Sequence, residues 1–265
     1  MELRPSTYTG LEHPLIKQDL NCVGCKLGQV REARNKKLEK DERVKHCVRG
    51  AGPDDLTKVK LILISDYPGH YEEAHGYPQL DITLTREKYK NGLLQARNSG
   101  AFIRMALNRM YGLDTYTDMW ITNAVRCNPN QLKVIENTHI KPCVSLWLSP
   151  ELSLLDEYCP NAPILVAGQH AFRAVKLAFK REAPVLNELG LNGCRRRDDI
   201  RLGGRPAVFA PNPVRAARSE FRIETQVMNL DSKWRVTGNR WLYPAPIGSP
   251  VHSLIEDLKF LRKFL

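Results

Sequence analysis

Four short apolar runs, separated by longer segments with helical periodicity, dominate the pattern of this chain. The runs lie at 58–66 (KVKLILISD), 118–125 (DMWITNAV), 163–167 (PILVA) and 206–210 (PAVFA). Such nearly continuous runs, rich in β-branched residues, are typical of strands buried on both faces of a sheet. Strands that alternate with helices predict a three-layer α/β/α sandwich around a central, mainly parallel four-stranded sheet.

The segments between the runs predict helices with recognisable starts and ends. A helix is expected from Asn98–Ser99 to about Tyr111, ending at Gly112, because Asn and Ser are good N-caps and Gly a good C-cap. Ser149–Pro150 predicts another helix start, and 169–179 a helix after the third strand. The C-terminal segment opens at Ser249–Pro250. Its apolar residues recur at helical spacing, which predicts packing on the sheet: Val251, Leu254, Ile255, Leu258, Leu261 and Leu265.

The predicted topology indicates where chemistry should be sought. Open parallel sheets bind ligands at the carboxyl ends of their strands, so the loops of interest are 65–79, 123–131, 168–170 and 211–218. We expect one domain over 1–265, with insertions at about 79–98 and 219–248. The second insertion interleaves aromatic and basic residues, a pattern that fits base stacking and an ordinary covering loop equally well.

The net charge of the chain and the lengths of its apolar runs favour some functional classes and exclude others. The chain has 265 residues and a formal net charge of +11, which favours a polyanionic partner, nucleic acid, over a merely solvated basic surface. No apolar run approaches the ~18 residues that span a bilayer, and the N-terminus lacks the apolar core of a signal peptide. We therefore expect a cytoplasmic protein with no membrane partner, and a monomer.

Four of the seven cysteines form a ligand-like pattern. Cys22 and Cys25 read C-x2-C, and Cys127 and Cys143 read C-x15-C after a long gap. Four thiolates suit a [4Fe-4S] or [2Fe-2S] cluster, and zinc is the alternative, although zinc ribbons usually have two C-x2-C pairs. Four unrelated buried thiols are a further reading. The other three, Cys47, Cys159 and Cys194, are expected to be ordinary core or surface residues.

The landmarks together resemble the iron-sulfur (family 4) branch of the uracil-DNA glycosylase superfamily. That family has an N-terminal C-x2-C, a V-x-G-x-G approach to a strand ending G-E-x-P-G, and then E-D-x-x-G-x-P-F. Here these read 48–52 (VRGAG), 65–69 (SDYPG) and 72–78 (EEAHGYP). The family's Y-I-T-N-x-V-K-C-x-P matches 120–129 (WITNAVRCNP), and Cys143 falls where its fourth cluster ligand belongs.

The resemblance implies a monofunctional glycosylase that flips a nucleotide out of DNA and hydrolyses the bond between base and sugar. It places Asp66 and Glu72 as candidate catalytic carboxylates that steady the sugar cation or orient water, with Asp66 favoured. It places Asn123 on the pyrimidine edge. Arg126 is expected to meet DNA phosphates.

Further positions follow from weaker parts of the match. The family's P-x-I-x-x-x-G-x-x-A is echoed at 163–171, where Gln169 and His170 are expected to contact DNA. Arg215 and Arg218 belong to the basic surplus after the last strand and are expected to do the same.

Three departures from the family pattern fall on the expected pocket. Asn212 stands where the family has a histidine that donates to the base, and asparagine is still a neutral donor. Tyr67 replaces a small residue at the pocket floor, and Gln79 replaces a phenylalanine that stacks on uracil. Both are candidate base-binding residues.

A remodelled pocket suggests a substrate larger or more polar than uracil. Our hypothesis is a hydroxymethylated or glucosylated pyrimidine of phage DNA, which would make the protein an antiphage defence factor. The alternatives are plain uracil excision in base-excision repair, a reader that binds a modified base without cutting, and a base-modifying transferase.

Overall fold

A computed structural model provides the coordinates of the chain. It describes residues 25–29, 36, 47–48, 50–69, 72, 103, 106–108, 110–114, 117–129, 134–213 and 250–265. Both insertions expected from the sequence, 79–98 and 219–248, lie outside the described residues. Within the described part, no helix combines the length and apolar character that a bilayer crossing requires.

The described strands form one mixed sheet. They are β1 (Leu61–Ser65), β2 (Met119–Asn123), β3 (Ile164–Ala167), β4 (Arg201–Leu202) and β5 (Arg205–Ala210), in the order β2-β1-β3-β5-β4. The pairs β1–β2, β1–β3 and β3–β5 are parallel, as predicted. Each long strand lies inside its predicted apolar run or exceeds it by one residue.

The predicted strand number is wrong, because the sheet has five strands rather than four. The fifth, β4, pairs antiparallel with β5 through Gly203 and Gly204, whose φ angles are 58° and 87°. A two-residue hairpin turn needs positive φ, and Gly-Gly supplies it without strain. The Gly-Gly pair in the sequence was the signal for this short strand.

Helices cover both faces of the sheet and make the three predicted layers. One apolar cluster joins Ile62 and Ile64 of β1 to residues of four helical segments, α1 (Asn137–Cys143), α2 (Ser149–Tyr158), α3 (Gln169–Ala178) and α4 (Ala183–Cys194). The other cluster joins Leu61 and Leu63 to Ile103 and Leu107 and to α5 (Pro250–Leu261). Alternate residues of β1 thus serve opposite cores, which explains its continuous apolar sequence.

One helix start is confirmed and one helix end needs correction. α2 begins at Ser149–Pro150 as predicted, although a π-helical turn (Val144–Leu148) joins it to α1 with helical backbone throughout. Leu265 does not pack on the sheet: it lies beyond the end of α5 and is 46% exposed. The buried face of α5 ends at Leu261.

Candidate active site

The four long strands end level with one another. Ser65 at the end of β1 is in register with Asn123 of β2 and Ala167 of β3, and Ala167 is in register with Ala210 of β5. The residues that follow these ends are therefore close neighbours at one edge of the sheet. The expectation that the loops after the strands meet at this edge is confirmed.

Asp66 is the centre of this edge. Its carboxylate is 5% exposed, and its Oδ1 accepts hydrogen bonds from the backbone N–H groups of His170 (2.8 Å) and Ala171 (2.9 Å) in the first turn of α3. The Nδ2 of Asn212, in the loop after β5, donates to Oδ2 at 2.5 Å. Asp66 thus connects the loop after β1 to the start of α3, 104 residues later, and to the loop after β5, 146 residues later.

Gly168 makes this close approach possible. Its φ is +116°, a conformation that L side chains rarely adopt, and a Cβ at this position would overlap the carboxylate of Asp66. Its N–H donates to the carbonyl of Ala210 (3.0 Å), so the turn is held against the end of β5. Gly168, the glycine of the 163–171 motif, is therefore required both by its positive φ and by the lack of room for a side chain beside Asp66.

Burial shapes the ionisation of the two titratable groups at this edge. Desolvation raises the pKa of Asp66 above its ordinary value, against the lowering effect of the N–H of Ala171, the amide of Asn212 and nearby His170. Desolvation also lowers the pKa of His170, an effect that Asp66 opposes and Arg173 reinforces. The edge therefore disfavours charge on either group.

Asn123 presents an unsatisfied amide at the same edge. It is 3% exposed, and its Nδ2 has no hydrogen-bond partner among the described residues. An unpaired buried N–H costs about 1–3 kcal/mol, so such groups commonly mark a place that a ligand completes. The predicted neighbourhood of Asp66, Asn123 and Asn212 is found in the structure, and their contact with a base is taken up as a proposal below.

Tyr67 lies at the surface of the site, and the prediction that it forms the pocket floor is wrong. Its side chain is 39% exposed. Its ring stands 5.9 Å from the ring of His170, centroid to centroid, with a tilt of 47°. The two rings form a pair beside Asp66.

Glu72 has a local partner that Asp66 lacks. Its Oε2 accepts a hydrogen bond of 2.5 Å from the N–H of Gly69, which closes the loop after Asp66 and Pro68. The carboxylate of Glu72 thus stabilises the loop, whereas that of Asp66 reaches into neighbouring elements.

Arg126 does not lie where a phosphate contact requires it. It is 4% exposed, its Nη2 pairs with Oε2 of Glu151 at 2.5 Å, and its Nη1 donates to the carbonyl of Val48 at 3.1 Å. The same Glu151 oxygen accepts from the hydroxyl of Thr122 at 2.7 Å. Glu151 could not be expected here from the sequence, because nothing in the sequence indicates a pairing across 25 residues. The expectation that Arg126 meets DNA is corrected: its contacts are internal.

Of the other predicted site residues, the structure describes two and leaves three outside the described part. Gln169 is exposed at the start of α3 and His170 is half-buried next to it, both at the sheet edge. Gln79, Arg215 and Arg218 lie outside the described residues.

Part of the arginine surplus is neutralised within the protein. Arg195 and Arg196 both pair with the fully buried carboxylate of Asp257 on α5, and Arg197 pairs with Asp199. Because these three arginines are paired within the protein, the basic residues available to a polyanion are fewer than the sequence suggests.

The described cysteines are buried and none is in a disulfide. All six belong to one apolar cluster: Cys25, Cys47, Cys127, Cys143, Cys159 and Cys194. In the part of the chain that the structure describes, no three His, Cys, Asp or Glu side chains come together as a metal-holding group, and Cys22 lies outside that part. The geometry of a four-thiolate centre is thus not seen, although three of its four proposed ligands share one side of the core.

Comparison with known proteins gives one match. A family model described as the uracil DNA glycosylase superfamily matches residues 53–234, which include every described strand and the residues Asp66, Asn123, His170 and Asn212. A search of curated proteins found no match.

Proposed function

The chain belongs to the uracil DNA glycosylase superfamily, and we propose that it is a monofunctional DNA glycosylase that releases a pyrimidine base by hydrolysis. The observation that supports this proposal is the placement of a buried carboxylate, Asp66, beside the unsatisfied amide of Asn123 at one sheet edge. We further propose that the chain belongs to the iron-sulfur branch and forms one domain with two insertions.

In the proposed mechanism, Asn123 reads the edge of the flipped base and Asp66 acts on the sugar. As the bond between base and sugar lengthens, positive charge develops on the sugar, and the negative charge of Asp66 stabilises it or orients water. The hydrogen bonds from α3 and Asn212 hold Asp66 in one position, so little reorganisation is needed at the moment of reaction. Glu72, bound to Gly69, shapes the loop.

We propose a modified pyrimidine of phage DNA, hydroxymethylated or glucosylated, as the base released, and antiphage defence as the setting. Two features support a site that is more open and polar than a tight uracil pocket. Tyr67 is 39% exposed rather than a floor, and Gln79 stands where the resemblance implies a stacking ring. Uracil excision is the direct alternative.

A panel of duplexes tests activity and substrate together. Each duplex carries one uracil, hydroxymethyluracil, hydroxymethylcytosine or glucosylated hydroxymethylcytosine in the same sequence context. We expect alkali-labile abasic sites and release of the free base, identified by mass spectrometry, from a hydroxymethylated or glucosylated duplex. Release from uracil DNA alone would refute the substrate proposal, and release from none of the duplexes would refute the glycosylase.

A reader that binds a modified base without cutting has one observation in its favour. Asp66 already accepts three hydrogen bonds from the protein, two at Oδ1 and one at Oδ2, which leaves little capacity for water. Tight, selective binding to one duplex of the panel without any abasic product would support the reader. A base that gains mass instead of leaving the DNA would indicate a transferase.

We propose that Cys22, Cys25, Cys127 and Cys143 hold a [4Fe-4S] cluster, with zinc as the alternative. The soft thiolate set supports iron. When bound, the cluster would pin the N-terminal segment to the loop after β2 and to the end of α1. The protein residues at the sheet edge perform the proposed reaction without it.

Metal content tests the cluster independently of activity. We expect anaerobically purified protein to be brown, with about four iron atoms per chain, and the Cys143→Ala variant to lose iron and visible absorption. Cys47→Ala is the matched control, because Cys47 lies in the same apolar cluster outside the quartet, and it should keep its iron. A colourless protein with stoichiometric zinc would replace iron with the alternative; unchanged iron in Cys143→Ala would remove Cys143 from the ligand set.

A further inference from the structure

Glu151 on α2 binds both ends of one short stretch of chain at the candidate site. Its side chain is 12% exposed, and its Oε2 accepts hydrogen bonds from the hydroxyl of Thr122 (2.7 Å) and from Nη2 of Arg126 (2.5 Å). Thr122 belongs to β2, and Arg126 lies in the loop that follows this strand. One carboxylate thus fixes both ends of the stretch 122–126.

The stretch 122–126 contains one residue of the candidate site and is bonded to another. Asn123 belongs to it. The N–H of Val125 donates to the carbonyl of Asp66 (3.1 Å), and the N–H of Ala124 donates to the last carbonyl of β1 (2.8 Å). The position of this stretch therefore sets the distance between the amide of Asn123 and the carboxylate of Asp66.

A third segment, 48–52, lies against the same carboxylate. A Cβ added to Gly50 would overlap Oε1 of Glu151, so the carboxylate packs directly on this backbone. The segment is also joined to β2, because Ala51 forms two backbone hydrogen bonds with Ile121, of 2.6 and 2.5 Å. Glu151 is therefore held in one position by the backbone around it.

We propose that Glu151 is a positioning residue for base release. By binding both ends of the stretch 122–126, it fixes Asn123 and the backbone of Asp66 at the separation that the reaction requires. Functional groups keep a productive geometry only when supporting hydrogen bonds lock them in place. The inference rests on the proposed glycosylase function, and Glu151 acts through its neighbours without touching the base or the sugar.

A contribution to stability alone does not explain this buried ion pair. Such a pair loses its solvation on burial, and an apolar pair of similar volume often gives equal or greater stability. The carboxylate of Glu151 does what an apolar side chain cannot do, because it accepts hydrogen bonds from two residues that are four positions apart. Replacement of the ion pair by apolar side chains therefore separates the two roles.

Single substitutions of Glu151 test its effect on the rate. We expect Glu151→Ala to lower the single-turnover rate of base release about 100-fold, the effect of a displacement of about 1 Å at the reacting groups. The affinity for the duplex should change little, because phosphate contacts dominate it. Glu151→Gln should lower the rate only about tenfold, because its amide oxygen still accepts from one of the two partners. An unchanged rate in folded Glu151→Ala would overturn the proposal.

A double variant, Arg126→Met with Glu151→Leu, separates positioning from stability. We expect its unfolding midpoint in urea to return from that of Glu151→Ala toward that of wild type, because no buried charge is left unpaired. Base release should nevertheless stay about 100-fold slow. Recovery of the full rate together with the midpoint would mean that the pair serves stability alone, and the positioning role would be refuted.

Asp156→Asn is the matched control on the same helix. Asp156 pairs with Arg205 at 2.8 Å, and that arginine is 1% exposed, even more deeply buried than Arg126. Arg205 is the first residue of β5, at the opposite end of the strand from the candidate site. We expect Asp156→Asn to keep the full rate. A loss equal to that of Glu151→Gln would mean that any broken ion pair of α2 slows the reaction, and would count against a specific role for Glu151.

Amide hydrogen exchange, followed by nuclear magnetic resonance, keeps this test apart from the test of function. In Glu151→Gln we expect the N–H groups of Ala124 and Val125 to exchange about tenfold faster than in wild type, while those of β3 keep their rates. Unchanged exchange at Ala124 and Val125, or an equal increase in β3, would contradict the positioning role. If no duplex of the panel loses a base, the glycosylase proposal fails, whereas the exchange result still decides whether Glu151 holds this stretch.

Discussion

Replacement of Asp66 by asparagine is expected to abolish base release while the fold persists. Asparagine can accept the two N–H groups of α3 at its oxygen, and Asn212 can turn its amide to present an acceptor to the new Nδ2. The negative charge opposite the sugar cation is lost. We expect the single-turnover rate to fall by about 10²–10⁴-fold, the usual range for a positioned acid or base, measured with the duplex that wild type cuts fastest.

The stability of Asp66→Asn follows from the raised pKa. Between the unfolded and folded pKa values of Asp66 the folded state binds more protons, so its contribution to stability is greatest at low pH and is lost as pH rises through the folded pKa. Asparagine never ionises. At neutral pH we therefore expect little loss in the free energy of unfolding, measured in urea, and a weaker pH dependence than in wild type.

Two other carboxylates serve as comparisons for Asp66. Asp118 immediately precedes β2, at the opposite edge of the sheet, where it pairs with Lys60 at 2.7 Å. Asp118→Asn should leave the rate of base release unchanged. Glu72→Gln should lower it only modestly, because the amide oxygen can still accept from Gly69. A full rate in Asp66→Asn, or a larger loss in Glu72→Gln, would transfer the main catalytic role to Glu72.

Gly168→Ala is expected to produce the largest loss of stability. A methyl group there meets both carboxylate oxygens of Asp66 well inside the 3.0 Å that real Cβ atoms keep, on a backbone with φ of +116°. Relief requires Asp66 to leave its hydrogen bonds with α3. We expect the free energy of unfolding to fall by about 3 kcal/mol or more, since backbone strain alone costs about 1–3 kcal/mol, and base release to be lost with it.

Gly190→Ala is the matched control for Gly168→Ala. Gly190 also has positive φ, +66°, but a Cβ there meets nothing within 4 Å. This variant has the backbone strain without the collision, and we expect a loss of about 1 kcal/mol with base release retained. Equal losses in the two variants would mean that the collision with Asp66 contributes nothing and that the site tolerates its displacement.

Much of the fold could be predicted because its signals are local. The continuous apolar runs that became β1, β2, β3 and β5 predict strands buried on both faces, and the alternation with helices predicts a parallel sheet. The short β4 escaped detection, since two residues make no apolar run. The join of α1 to α2 escaped as well, because Ser149–Pro150 reads locally as a helix start while the packed π-helical turn continues the helix through it.

Some residues of the candidate site could likewise be predicted from local sequence signals, and others could not. The motifs and the strand ends predicted that Asp66, Asn123 and Asn212 lie at one edge, because parallel neighbouring strands end at the same edge of a sheet. The contacts of Arg126 could not be predicted in this way. An arginine after a strand is equally suited to a phosphate and to a buried carboxylate, and only packing placed Glu151 against it.

By itself, the amino-acid sequence determined the architecture, the edge at which the candidate site lies and the residue types present there, because periodicity and strand order act over short stretches of chain. Only the tertiary structure decided that Asp66 is held by α3 and Asn212, that His170 sits beside it without a partner for Nδ1, and that Tyr67 faces outward. The reason is physical. Desolvation, hydrogen-bond satisfaction and steric overlap depend on distances between residues that are remote in sequence, and those distances exist only once the sheet has formed.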